Sequence, residues 1–178
     1  MAVCWRGVTK IKTIMTIRRL SIILLLLVTC VCAGYAQDKT LYVKGKNFEG
    51  YVFQKEHSIW GIAPNENRYT LNKSDVLIAE QILRDSINSD YIKVQQDSYK
   101  SPSINRKTLK RYIRQYVGYI NDSGEINVWI TFVDRQIAKE LNPALDIIAI
   151  CDGGYNYWSV CINITRRKLF DMQINGNG

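Results

Sequence analysis

The chain carries one histidine, His57, in Lys55-Glu56-His57-Ser58. That count excludes a histidine-rich metal site, and a Ser-His-Asp triad would rest entirely on this one ring. In a charged, turn-like setting the imidazole reads as a loop residue rather than a base. Glu125, Asp134, Asp146 and Asp152 fall at the ends of expected strands, where paired carboxylates of a small hydrolase could face one another. No spacing selects a pair among them. Asp152-Gly153-Gly154 reads as a turn, because a phosphate loop needs a helix after its glycines and a calcium loop needs further oxygen ligands close by. No catalytic set, cofactor motif or metal-ligand set emerges, so the chain reads as a non-enzyme.

Two groups suit binding better than catalysis. Arg106, Lys107, Lys110, Arg111 and Arg114 fall on an expected short helix with no acid between them. Such a stripe suits phosphate, lipid headgroups or an acidic glycan. The plainer reading is a solvated face with Arg114 paired to an acid elsewhere, and the charge balance described below favours it. Tyr155, Tyr157 and Trp158 cluster on and after a glycine turn. With Trp60 they are candidate contacts for a protein or carbohydrate partner, since aromatics on a rigid hairpin offer large area at low entropic cost. Tyr157 and Trp158 point to opposite faces of a strand, so at least one belongs to the core.

The compartment is read from the first 36 residues. Lys10, Lys12, Arg18 and Arg19 precede an apolar run from Leu20 to Val31, and Gly34-Tyr35-Ala36 offers small residues for cleavage before Gln37. This is the pattern of a signal peptide over 1–36, complete already if translation starts at Met15. The apolar run is short for a membrane span, which needs roughly 20 residues. The expected location is secreted or periplasmic, with no span after processing. Leu27-Val28-Thr29-Cys30 supplies the alternative, a lipoprotein anchored through Cys30, although Thr29 departs from the small residue usual before such a cysteine.

Removing the leader changes the arithmetic. Of 24 basic residues, five lie in 1–36 beside no acid, which leaves 19 against 16 and turns a net charge of +8 into +3. That is too small an excess to imply a nucleic-acid partner. Cys4, Cys30 and Cys32 leave with the leader, and Cys151 and Cys161 remain. They are compatible with one disulfide in an oxidising compartment, or with two thiols acting as small apolar residues in neighbouring strands.

These residues must be positioned by a single domain over 58–178, preceded by an N-terminal strand segment over 37–57. The clearest element is a helix after Asn72. Val76, Ala79, Ile82, Leu83 and Ile87 share one face, while Glu80 and Arg84 pair four apart on the other. Residues 89–104 read as loop, and a second helix is expected over 106–115 from the spacing of Leu109, Tyr112, Ile113 and Tyr116. Strands then follow at 117–120, 126–133, 147–150, 157–164 and 169–174, with Asn121-Asp122-Ser123-Gly124 as a hairpin turn. The expected fold is α+β: one or two helices on a four-stranded antiparallel sheet, a cystatin-like or inhibitor-like plan.

At Arg114-Gln115-Tyr116-Val117-Gly118-Tyr119, Asn121, Gly124-Glu125, Trp129, Asp152-Gly153-Gly154 and Asn175-Gly176, the chain resembles a family of small exported proteins of Gram-negative bacteria. The likeness spans roughly 58–176. It implies an exported single domain and transfers no catalytic residue. The function expected is a non-catalytic binding or inhibitor module outside the cytoplasm. A small secreted hydrolase and an envelope structural or assembly protein are the alternatives.

Overall fold

A computed structural model describes residues 40–59, 61–62, 67–98 and 104–175, all within the unit Asp38–Gly178. The leader over 1–36, with Met15 and Cys30, and the candidate Trp60 lie outside the described residues.

Seven strands form one sheet: β1 (Leu41–Lys44), β2 (Glu49–Phe53), β3 (Arg68–Tyr69), β4 (Tyr112–Ile120), β5 (Ile126–Asp134), β6 (Tyr157–Asn163) and β7 (Lys168–Ile174). Their order is β1-β2-β4-β5-β6-β7, with β3 paired to the far half of β4. Among the described residues three helices accompany them: α1 (Lys73–Ser86), α2 (Asp90–Ser98) and α3 (Arg135–Glu140). The fold is α+β, but the four-stranded antiparallel, cystatin-like plan is wrong. The sheet is mixed, because β2 runs parallel to β4 in the register Gly50↔Arg114 to Phe53↔Val117. A parallel pair needs a long crossover, and the stretch carrying β3, α1 and α2 provides it. The N-terminal segment is therefore two strands of this same sheet.

Helix α1 begins where its chemistry dictates. Asn72 Oδ1 accepts from the backbone N–H groups of Ser74 and Asp75 at 2.7 and 3.1 Å, and Asp75 Oδ2 accepts from the Asn72 N–H at 3.0 Å. This is a complete capping box. Val76, Ala79, Ile82 and Leu83 turn inward against the sheet, and Leu77 is left outside.

The second helix lies elsewhere than the spacing predicts. Residues 108–111 make only a 3-10 turn, and Tyr112–Ile120 is strand. Tyr112, Arg114 and Tyr116 point to the helix-covered face and Ile113, Gln115 and Val117 to the opposite one. β-branched and aromatic residues in alternation fit a pleat buried on both sides, and this outweighs the accidental helical spacing. The helix forms instead at Asp90–Ser98, which the polar sequence conceals. Ile92 is its buried apolar anchor, and Gln96 bonds both ways to Ile104, Nε2 to O at 2.9 Å and N to Oε1 at 2.7 Å. Residues 147–150, expected as strand, are irregular.

The main core lies between α1, α2 and one face of β4–β7, built around Tyr116, Ile130, Phe132, Trp158 and Val160. The other face is covered by α3 and the segment after it, which bury Val133, Ala138 and Ile148. Among the described residues no helix is long and apolar enough to cross a membrane.

Candidate functional site

On this second face the chain leaves an open cleft of about 530 Å³. Tyr51 of β2 and Ile113 of β4 form its floor. Its wall is Arg135, Ala138 and Lys139 of α3 with Leu141, Asn142 and Pro143 beyond it. The wall is built rather than draped. Asp134 caps α3 by accepting from the Gln136 N–H at 2.9 Å, and Arg111 fixes that carboxylate through Nε at 2.9 Å and Nη2 at 2.7 Å. A charge-assisted fork of this kind holds its partner in one orientation.

Gln115, fully buried in β4, pins the segment after the helix. Its Nε2 donates to the carbonyls of Pro143 at 2.9 Å and Asp146 at 2.8 Å, while its Oε1 accepts from the Ile148 N–H at 2.9 Å. Thr40 Oγ1 adds a bond to the Ala144 carbonyl at 2.8 Å. An irregular segment whose buried polar groups are met in this way keeps a fixed shape.

The rim at β1 and β2 carries polar groups. Tyr42 and Tyr51 pack with ring centroids 5.4 Å apart, and Glu49 takes hydrogen bonds from the Tyr42 hydroxyl and from Arg135. Those two donors, Tyr42 first, hold the Glu49 carboxyl below its ordinary value against the opposing effect of burial. Further along, His57 Nε2 lies 3.3 Å from Asp146 Oδ1, with its ring against Phe53.

The sequence candidates divide. Tyr155 and Arg111 do meet, with the Arg111 guanidinium 5.1 Å from the centre of the Tyr155 ring. Tyr157 is half-buried and packs under the wall with Val133, Ala138 and Ile148. Trp158 faces the other way, 1% exposed, and stacks on Phe132 at 3.6 Å. The aromatic triplet is thus largely packing, as cross-strand pairs in a covered sheet require. Arg114 points inward and is 1% exposed, so the expected solvated stripe over 106–114 does not exist as one face. Glu80, expected on the polar face of α1, is its partner at 2.6 Å and also accepts from the Tyr116 hydroxyl at 2.8 Å. Burial pushes the Glu80 carboxyl up, with Arg114 and Tyr116 pulling the other way.

Cys151 and Cys161, the cysteines among the described residues, are free thiols: Cys151 is exposed, and Cys161 is buried under the Tyr119 hydroxyl. Among the carboxylates, Glu125 is held by Asn121, Asn163 and Arg166, Asp134 by Arg111, and Asp146 lies beside His57. Asp152 is exposed on a left-handed backbone at φ 58°. Among the described residues no group of three or more His, Cys, Asp or Glu is placed to hold a metal ion.

Sequence reasoning misses Tyr51, Ile113, Gln115 and the wall residues. One local signal was available: Asp134 before Arg135-Gln136-Ile137-Ala138-Lys139-Glu140 is an N-cap ahead of good helix formers.

No protein-family model, curated protein or solved structure matches this chain.

Proposed function

We propose that this chain is an exported, non-catalytic binding module that takes an apolar side chain of a partner protein into the cleft over Tyr51 and Ile113. The observation that carries the reading is the built wall. Arg111, Asp134 and Gln115 fasten residues 134–148 to the sheet at fixed points through part-buried hydrogen bonds, so the cleft between those points keeps its shape. An apolar floor with a polar rim, shaped before the ligand arrives, is how interfaces seat an anchor residue at low ordering cost. Export is supported by the basic, apolar and small-residue succession over 10–36. A hydrolase with paired carboxylates needs two acids across one cavity; this cleft is lined by one, Glu140.

A photo-crosslinking amino acid placed at Leu141 tests the reading. In envelope fractions it is expected to capture one defined protein, and Leu141→Asp is expected to abolish co-purification of that protein without moving the unfolding midpoint. Equal capture from the exposed Leu77 of α1 overturns the reading, as does binding that Leu141→Asp leaves intact. N-terminal sequencing of the secreted form is expected to begin at Gln37, and an unprocessed cytosolic chain removes the export half.

A further inference from the structure

On the opposite, helix-covered side of the sheet, Arg114 and Glu80 form the floor of a second cavity of about 140 Å³, with Arg84, Arg106 and Asn47 at its mouth and Leu109 alongside. We propose that this cavity is a binding site for a tetrahedral oxyanion group, a phosphoryl or sulfo group, held by Arg84 and Arg106 over the Arg114–Glu80 pair.

Three guanidinium groups converge here with one carboxylate. That carboxylate is already committed, bound by Arg114 at 2.6 Å and by the Tyr116 hydroxyl at 2.8 Å. Arg84 also acts on Glu80, but one carboxylate against three guanidinium groups leaves the cavity with a surplus of positive charge. Neither side chain has an acidic ion-pair partner among the described residues. Arg106 is anchored at the mouth, its Nε donating to the Arg84 carbonyl in the last turn of α1 at 2.7 Å. Like charges gathered at a partly enclosed mouth repel, and an anion between them turns that repulsion into attraction. Guanidinium forks match the paired oxygens of phosphate and sulfate, which is why arginine is the residue used for such groups. The size agrees. At about 30 Å³ per water the cavity holds the equivalent of roughly four or five waters, enough for one tetrahedral group but not for a whole nucleotide.

The site is separate from the cleft, which opens on the other face, so its success or failure is read independently of the partner-protein reading. The test uses inorganic phosphate and inorganic sulfate, titrated against chloride at constant ionic strength. The readouts are thermal unfolding and the backbone amide signals of Arg84, Arg106 and Arg114. Saturable shifts at these amides and a rise in the unfolding midpoint are expected. Both are expected to vanish in Arg84→Ala/Arg106→Ala, whose side chains are exposed, while Lys168→Ala responds as the parent chain does. Phosphate-bearing lipid vesicles and a soluble phosphorylated sugar then distinguish a headgroup from a free ligand. Shifts no larger than those given by chloride overturn the proposal, and so does an undiminished response in the double variant.

Discussion

Arg114 and Glu80 meet at 2.6 Å in the interior, their side chains only 1% and 4% exposed, and join the centre of β4 to the buried face of α1. The Arg114 guanidinium also lies 5.3 Å from the centre of the Phe132 ring, and its Nη1 donates to the Tyr112 carbonyl at 3.2 Å. Removing one partner strands the other charge away from water. Arg114→Met is expected to lower the unfolding free energy by about 3–5 kcal/mol, whereas Glu80→Leu/Arg114→Met recovers part of that loss, because apolar residues replace the buried charges at little cost while the Tyr116 hydroxyl loses its acceptor. Urea denaturation of the three proteins decides it. A double variant no more stable than the single one shows that the pair contributes more than mutual neutralisation.

At the rim of the cleft, acid is expected to loosen the attachment of α3 to β2. The Tyr42 hydroxyl and Arg135 keep the Glu49 carboxyl below its ordinary 4.5. A depressed folded value means that ionised Glu49 stabilises the fold above the ordinary value, and that this stabilisation disappears as pH falls through the depressed one. The gap in unfolding free energy between the parent chain and Glu49→Gln is expected to be about 1 kcal/mol or less, constant from about pH 7 to about pH 5.5, and to shrink as pH falls below the ordinary carboxylate range. Paired denaturation curves across that range measure it, and a gap that widens on acidification contradicts the assignment.

The same contacts explain what the sequence disclosed and what it hid. Helix α1 was legible because its cap is local, Asn72 and Asp75 lying three residues apart, and because Val76, Ala79, Ile82 and Leu83 repeat at helical spacing. The turn at Asn121–Gly124 was legible for a similar reason, with Gly124 at φ 76°. Glu80 was misread because Arg84 is a plausible local partner and nothing in the helix announces a guanidinium arriving from β4. Residues 106–116 fit two periods at once, and pairing on both sides, with β5 across the hairpin and with the distant β2, decides for strand from Tyr112 onward. The cleft depends on Gln115 reaching three backbone groups of another segment. Such an arrangement has no period and no motif, so local patterning cannot show it.

The two thiols are expected to behave as opposites. Burial pushes the Cys161 thiol up to about 12 from its ordinary 9.0, while Cys151 is exposed. Alkylation goes through the thiolate, and a shift of that size lowers the thiolate fraction at pH 8 on the order of 10³-fold. Iodoacetamide is therefore expected to label Cys151 in the folded protein and Cys161 only in denaturant, as read by mass mapping of the two peptides. Labelling of both at similar rates in the native state contradicts the buried placement of Cys161.

The parallel pairing that carries the cleft floor hangs on Gly50. Opposite Arg114 the backbones approach so closely that a Cβ on residue 50 would lie 2.1 Å from the Arg114 carbonyl oxygen. The obstacle is main chain within a central strand, so it cannot swing aside as a side chain would. Gly50→Ala is expected to part β2 from β4 and to cost at least about 1–3 kcal/mol, the usual penalty for forcing atoms into a filled site. Gly124→Ala makes the comparison, since there the added carbon meets nothing within 4 Å and only the left-handed backbone is strained. Hydrogen exchange separates the two mechanisms. Gly50→Ala is expected to lose protection along 114–117 and in β2, where Tyr51 forms the cleft floor, while Gly124→Ala keeps protection there and frays only its hairpin. Unchanged protection along 114–117 in Gly50→Ala means that the approach of the two strands is not what fixes Tyr51 beneath the wall.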